Sequence, residues 1–197
     1  GFAAPEQNTE FQGRIFPSEG AEVYRREDLT MLPVRTYVWN GVEGAKEGEY
    51  GKVVISAEYA DGQEIVIRPG DTMVMDFGQN CAAIPEFVFK AAEGTVLTCL
   101  PSEILNDGNG AESRGMDGPE GSCHRTNLRA HVEPAILMQY TFAGDKNYVT
   151  YHPTRTFFGY RFISVTATDE VRIKSVKSIP VTSITKEMEA GKITTGN

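Results

Sequence analysis

A chain of 197 residues, 40% of them hydrophobic and 23% charged, is long enough to bury a core and has the composition of an ordinary globular protein. Its formal net charge of −8 works against nucleic acid or an anionic membrane surface as a main partner, since both would repel it. No apolar run approaches the roughly 18 residues of a membrane-spanning helix. Twenty glycines and ten prolines in a chain rich in Thr and Val favour many turns between strands. Cys81, Cys99 and Cys123 are an odd number without CxxC spacing, so they suggest neither a disulfide framework nor a zinc site. Cys81 and Cys99 lie in apolar surroundings and read as small buried thiols.

In chain order, the polar stretch Gly1–Gln12 shows little periodicity, and FQGRIF (Phe11–Phe16) reads as a short strand closed by Pro17. Pro33–Trp39 alternates Val34, Thr36 and Val38 against Arg35, Tyr37 and Trp39, a strand pattern. Asn40–Gly51, rich in Gly and Glu, is a loop. Lys52–Tyr59 and Gln63–Arg68 flank Asp61-Gly62, a hairpin signal. Thr72–Phe77 runs as a strand into Gly78-Gln79-Asn80. Pro85–Lys90 and Thr95–Leu100 then flank Glu93-Gly94. Asn106–Ser122 is the longest loop, of a length that compact domains usually reserve for function. Ile136–Ala143 is a strand, and Gly144-Asp145-Lys146 turns into another at Asn147–Tyr151.

Thr150–Thr166 is the apolar centre of the pattern. Period-2 geometry places Phe158, Tyr160 and Phe162 on one face and Gly159, Arg161, Ile163 and Val165 on the other. Both faces are largely apolar, which predicts a central strand covered on two sides. Arg161 is then a buried guanidinium that requires a carboxylate partner. Val171–Val181 alternates with a slip at Val176, and Thr182–Glu189 suits a short helix. Strands every 8–12 residues joined by tight turns predict an all-β, antiparallel two-sheet β-sandwich with long loops. Residues 1–50 read as an N-terminal segment, either the end of a preceding module or extra strands. Residues 51–185 read as the sandwich and 186–197 as a linker. Both chain ends read as cuts through a longer polypeptide.

Catalytic constellations are weak. His124, His131 and His152 are scattered, and there is no GxSxG, P-loop or GxGxxG. Carboxylates abound, yet no pair is nominated for glycoside hydrolysis. No cofactor is expected. The one metal alternative is Ca²⁺ held by Asp107, Asn109 and Asp117 in the long loop, which departs from EF-hand order and reads more simply as a solvated turn-rich segment. Trp39, Tyr148 and Tyr151, with Tyr24 and Tyr37, offer rings that suit stacking on a sugar, although alternating aromatics also suit a core.

Two phrases go further. MVMDFGQNCAAIPEFVFKAAEGTVLTCLPSEIL resembles the region of bacterial α-L-rhamnosidases with a DFGQN turn and an AE-x-L phrase, and TYHPTRTFFGYRFISVT is similar to their later GFRY phrase. Asp76, Asn80, Glu103, Gly159 and Arg161 are the structural-motif positions this resemblance marks, and the carboxylate expected to pair with Arg161 is then Glu103 or Asp76. Cys81-Ala82-Ala83 follows Asn80 where relatives carry other residues, and Tyr160 and Phe162 replace the usual Phe and Tyr. The resemblance implies a jelly-roll or concanavalin-like sandwich ahead of an (α/α)6 barrel that carries the acid and base. The chain is then expected to be a non-catalytic domain, inactive alone, with the catalytic barrel of the same polypeptide as its partner. Its role would be to brace that barrel, with the Asn106–Ser122 loop shaping the approach to the site. An autonomous binding module for rhamnose-containing glycans is the alternative. The compartment stays open, with the periplasm or the exterior favoured over the cytoplasm.

Overall fold

The computed structural model describes residues 13–14, 16–17, 20–108, 117–128, 136–191 and 193–196. Among them, ten strands form one antiparallel sheet. They are β1 (Tyr24–Arg25), β2 (Arg35–Glu43), β3 (Lys52–Tyr59), β4 (Ile65–Ile67), β5 (Thr72–Ala91), β6 (Val96–Ser102), β7 (Met138–Thr141), β8 (Val149–Tyr151), β9 (Phe158–Ala167) and β10 (Val171–Thr182). The order is β1-β10-β5-β9-β6-β7, with β2 and β8 also on β5, β3 on β2, and β4 on β10. The all-β antiparallel expectation holds. The strand expected over Phe11–Phe16 includes Phe11, Gln12 and Ile15, which lie outside the described residues.

The 20-residue β5 makes two layers out of one sheet. Its first half pairs with β2 on one side and β9 on the other. Its second half pairs with β10 and β8. Between them, Phe77–Asn80 bulge out of register with β9, where Asp76 pairs with Phe162 and Cys81 with Tyr160. Gly78 takes a φ of 79° at this bend, a conformation that side-chain-bearing residues rarely adopt. The sequence therefore signals a bend at Gly78 where a strand end was expected. Met73, Met75, Phe77, Ala83, Phe87 and Phe89, all odd positions of β5, enter a single core. Leu97, Cys99, Ile163, Val165, Val171, Ile173 and Val176 meet them there. Side chains from both halves converge only if the sheet curls over on itself, which gives the two layers of a sandwich.

A second, smaller cluster lies on the opposite face of the first layer. Tyr37, Val53, Val74 and Phe162 supply its floor, and Leu105 and Cys123, bridged to each other at the two ends of the long loop, cover it. The first layer is thus buried on both sides, as the two apolar faces of the 158–166 stretch require.

Four sequence expectations are corrected. The segments flanking Asp61-Gly62 do not form a hairpin: β3 pairs with β2, while β4 crosses to β10. The segments flanking Glu93-Gly94 do not pair either, since β6 lies between β9 and β7. In both cases a tight turn hands the chain from one layer to the other, and the buried Ile65, Ile67 and Leu97 decide where the next strand goes. The strict alternation of β9 also fails. Tyr160 enters the main core, Phe162 the second cluster, and Ile163 the main core again. The slip falls at Arg161, opposite the bulge. The slip read near Val176 does occur, as a register shift between Ile173 and Ser175. Residues 182–189 hold a single 3₁₀ turn, Lys186–Met188, where a short helix was expected.

Candidate functional site

The residues of the two sequence phrases meet at the bend of β5. Asp76 is the last residue of its first half in register with β9, and Arg161 is the β9 residue left facing the bulge. Arg161 Nε and Nη2 donate to Asp76 Oδ1 and Oδ2 at 2.8 and 2.7 Å, a two-pronged pairing. The Gly78 amide donates to Asp76 Oδ1 at 2.6 Å, closing a local turn. On the far side of the bulge, Asn80 Nδ2 donates to Glu103 Oε1 at 3.1 Å and Asn127 Nδ2 to Oε2 at 3.1 Å. The site is a polar clasp across the bend: an ion pair before it and an amide-held carboxylate after it. Gly159 lies beside it, opposite Ala82, with open space around its α-carbon.

Partial burial pushes the Asp76 carboxyl up, but the Arg161 fork, the Gly78 amide and the nearby Arg35 charge outweigh it and hold it below its ordinary value. The Arg161 side chain is not buried, as the alternation had predicted. It is 41% exposed, because the slip in β9 turns it outward across the Phe162 ring, 4.8 Å from the centroid. A pair that water reaches contributes far less than a buried one. Arg161→Met should therefore lower stability by about 1 kcal/mol or less in urea unfolding. A loss several times larger would show that the clasp carries the curl of the sheet.

A network that the sequence did not reveal holds the long loop onto the first layer. Asn106 Nδ2 donates to Ser122 Oγ at 2.9 Å, and Asn106 Oδ1 accepts from the Asp117 amide at 3.2 Å. Asp117 Oδ2 accepts from the amides of Arg125 and Thr126 and from the Thr126 hydroxyl, at 2.8, 2.7 and 2.8 Å. Asp117 Oδ1 lies 3.3 Å from Nδ1 of the buried His124. Arg125 reaches the carbonyls of Pro101 and Ile136, and Ser102 Oγ donates to the carbonyl of His124 at 2.6 Å. Nothing in residue spacing flags these positions, because they are polar residues of a loop whose partners come from its other end.

Burial pushes the Asp117 carboxyl up, and the Arg125 and Thr126 donors more than reverse this, so it titrates below its ordinary value. A carboxyl lowered by folding contributes stability that is fully present above its ordinary value and is lost as pH falls through its folded value. Wild-type stability should therefore decline below about pH 4, and Asp117→Asn should be less stable at neutral pH with a shallower acid limb. Urea midpoints from pH 7 to 2.5 read both effects. Identical acid limbs would exclude Asp117 as a source of the pH dependence.

The aromatic candidates lie in different surroundings. Trp39 packs against the second cluster. The Tyr148 ring faces Lys90 Nζ at 4.5 Å, and its hydroxyl donates to Glu64. The Tyr151 ring packs on Tyr140 at 4.6 Å, against the main core. Tyr24 is in the short β1. Of the calcium candidates, Asn109 lies outside the described residues. Asp117 faces the donors named above. Asp107 sits in an open surface depression with Glu43, Glu49 and Glu120. Among the described residues, no group of three or more His, Cys, Asp or Glu is placed to hold a metal ion. Cys99 and Cys123 are buried free thiols, and Cys81 is partly exposed. His152 Nε2 lies 3.0 Å from Arg25 Nη1, tying β1 to the 151–153 segment.

A curled antiparallel sheet, organised by one bent strand and clasped by polar residues at the bend, places the protein among concanavalin-like β-sandwich domains. Residues 66–183 match the bacterial alpha-L-rhamnosidase concanavalin-like domain, and the chain belongs to that family. An alpha-L-rhamnosidase of Alteromonas sp. (strain LOR) is 26% identical over 102 residues, covering 52% of this chain and 9% of the relative. An alpha-L-rhamnosidase of Streptomyces avermitilis is 29% identical over 116 residues, covering 59% and 10%. The chain thus spans about a tenth of the curated relatives it matches. Among solved structures, a rhamnosidase from Klebsiella oxytoca with rhamnose bound aligns with a TM-score of 0.51 at 13% identity, over 83% of this chain and 30% of that one, a likeness of fold.

Proposed function

We propose that this chain is the non-catalytic β-sandwich domain of a larger α-L-rhamnosidase, where it braces the catalytic barrel that removes terminal α-L-rhamnose from glycans or glycosides. The observation that carries this reading is the family match over 66–183, in relatives about ten times longer than the matched segment. The chemistry of the described residues supports it. Glycoside hydrolysis needs two carboxyl groups facing a substrate across a gap of roughly 5–9.5 Å. Several of the partly buried or clasped carboxylates are instead tied to neighbours: Asp76 to Arg161, Glu86 to Lys177 and Arg25, Glu58 to Arg35, and Glu103 to two amides.

An aryl α-L-rhamnoside is the direct test. The 197-residue chain should release no aryl alcohol, while the longer polypeptide containing it should turn the substrate over. Turnover by the chain alone would overturn the reading. Calorimetric titration with rhamnose should give no saturable heat up to millimolar sugar. A saturable isotherm would instead make the chain a carbohydrate-binding module.

A further inference from the structure

The arms that flank the sheet at its β1–β10 edge carry their polar and apolar groups in inverted positions. Arg26 is only 6% exposed. Its Nε and Nη2 donate to the two Asp28 oxygens at 2.8 and 2.9 Å, Nη2 donates to Glu189 at 2.5 Å, and Nη1 donates to the Ile184 carbonyl at 3.0 Å. Its amide donates to the Pro180 carbonyl at 2.8 Å, continuing the pairing of Tyr24 and Arg25 with Thr182 and Val181. One guanidinium therefore staples the arm at 23–32 to the arm at 182–189.

Several apolar side chains of the same arms are exposed, although Met31 packs against the main core. Val23 is 58% exposed, Leu29 48%, Ile184 53% and Met188 60%, and none belongs to either core cluster. Each sits within three residues of the staple or of a group it holds. Arms designed for solvent would be arranged the other way, with the arginine head extended into water and the aliphatic groups turned onto the sheet. The Arg26 bonds and the β1–β10 pairing hold the segments that carry these four residues side by side, and exposed apolar groups in one region of a surface mark a contact that is covered in the working protein.

We propose that the stapled arms are the docking surface for another domain of the same polypeptide, which covers Val23, Leu29, Ile184 and Met188. This rests on the reading that the chain is one module of a longer rhamnosidase. Two observations favour this occupant over a second copy of the chain. All four residues lie outside the matched segment 66–183, as belongs to parts that join a domain to its neighbours. The edge strand beside them is only two residues long, too short to template strand pairing between copies.

Hydrogen exchange followed by mass spectrometry, on the 197-residue chain and on the longer polypeptide, tests the proposal. Amides of 23–32 and 182–189 should exchange at least roughly tenfold more slowly in the longer polypeptide. The double variant Ile184→Glu/Met188→Glu should leave the melting temperature of the 197-residue chain unchanged, because both sites face water there, yet abolish the added protection in the longer polypeptide. Equal exchange in the two proteins would overturn the proposal. So would protection that already appears in the 197-residue chain and rises with its concentration, which would assign the surface to a second copy. Assaying the longer polypeptide on the aryl rhamnoside keeps the two readings apart: protected arms in an inactive polypeptide would sink the rhamnosidase reading and leave the docking surface standing.

Discussion

Phe89→Ala should lower the unfolding free energy by about 3–5 kcal/mol, the largest single effect expected of a side chain far from any polar site. Phe89 is fully buried on the second half of β5. Its ring lies 5.6 Å from Phe87 on its own strand, and 4.8 and 4.7 Å from Tyr140 and Phe142, which come from β7 and the residue beyond it. β7 reaches β5 only through β6 and β9, so these rings touch because the sheet curls. Removing the Phe89 ring takes away hydrophobic burial and leaves a cavity between layers that cannot close without flattening the curl. The urea midpoint should fall with the slope of the transition unchanged. Phe157→Ala, at a half-exposed position, serves as the control and should change stability by less than about 0.5 kcal/mol. Equal effects at the two positions would mean that the layers are not joined through this aromatic cluster.

Asn106→Ala should cost about 1–3 kcal/mol and act locally. Asn106 is 3% exposed. Its side chain supplies a donor to Ser122 and an acceptor to Asp117, while its backbone exchanges hydrogen bonds with Ser122 and Gly121. Ala leaves the Ser122 hydroxyl without that donor and the Asp117 amide without its acceptor. The loop then loses its anchor, and with it the cover that Leu105 and Cys123 give to Tyr37, Val53, Val74 and Phe162. Limited proteolysis should cut the variant between residues 103 and 128 under conditions that leave the wild type intact. A variant that is destabilised but no more susceptible there would show that Asn106 supports the whole domain and not the loop.

The clasp at the bend was legible in part. The pairing of Arg161 with a carboxylate followed from one cation in a long apolar run, and Asp76 was one of its two named partners. Its depth did not follow. A bulge of four residues in β5 shifts the parity of β9 by one, and an arginine that alternation places inside then lies on the surface. Asn127 was not foreseen, because its contact with Glu103 depends on how the loop returns. The Asn106–Asp117 network was invisible for the same reason.

By itself, the sequence determined that this protein is all-β and antiparallel. It also identified a strand within Thr150–Thr166 as lying in the middle of the sheet, while the bend at Gly78 was read only as a strand end. Those properties are written in local terms: β-branched and aromatic density, glycine where φ must be positive, and apolar residues on both faces of one segment. Only the tertiary structure decided which strands pair. At Asp61-Gly62 and Glu93-Gly94 the local signal specifies a turn and nothing more. Whether the following strand returns beside its neighbour or crosses to the other layer is settled by which side chains fill the core between the layers, and that is a property of residues far apart in the chain.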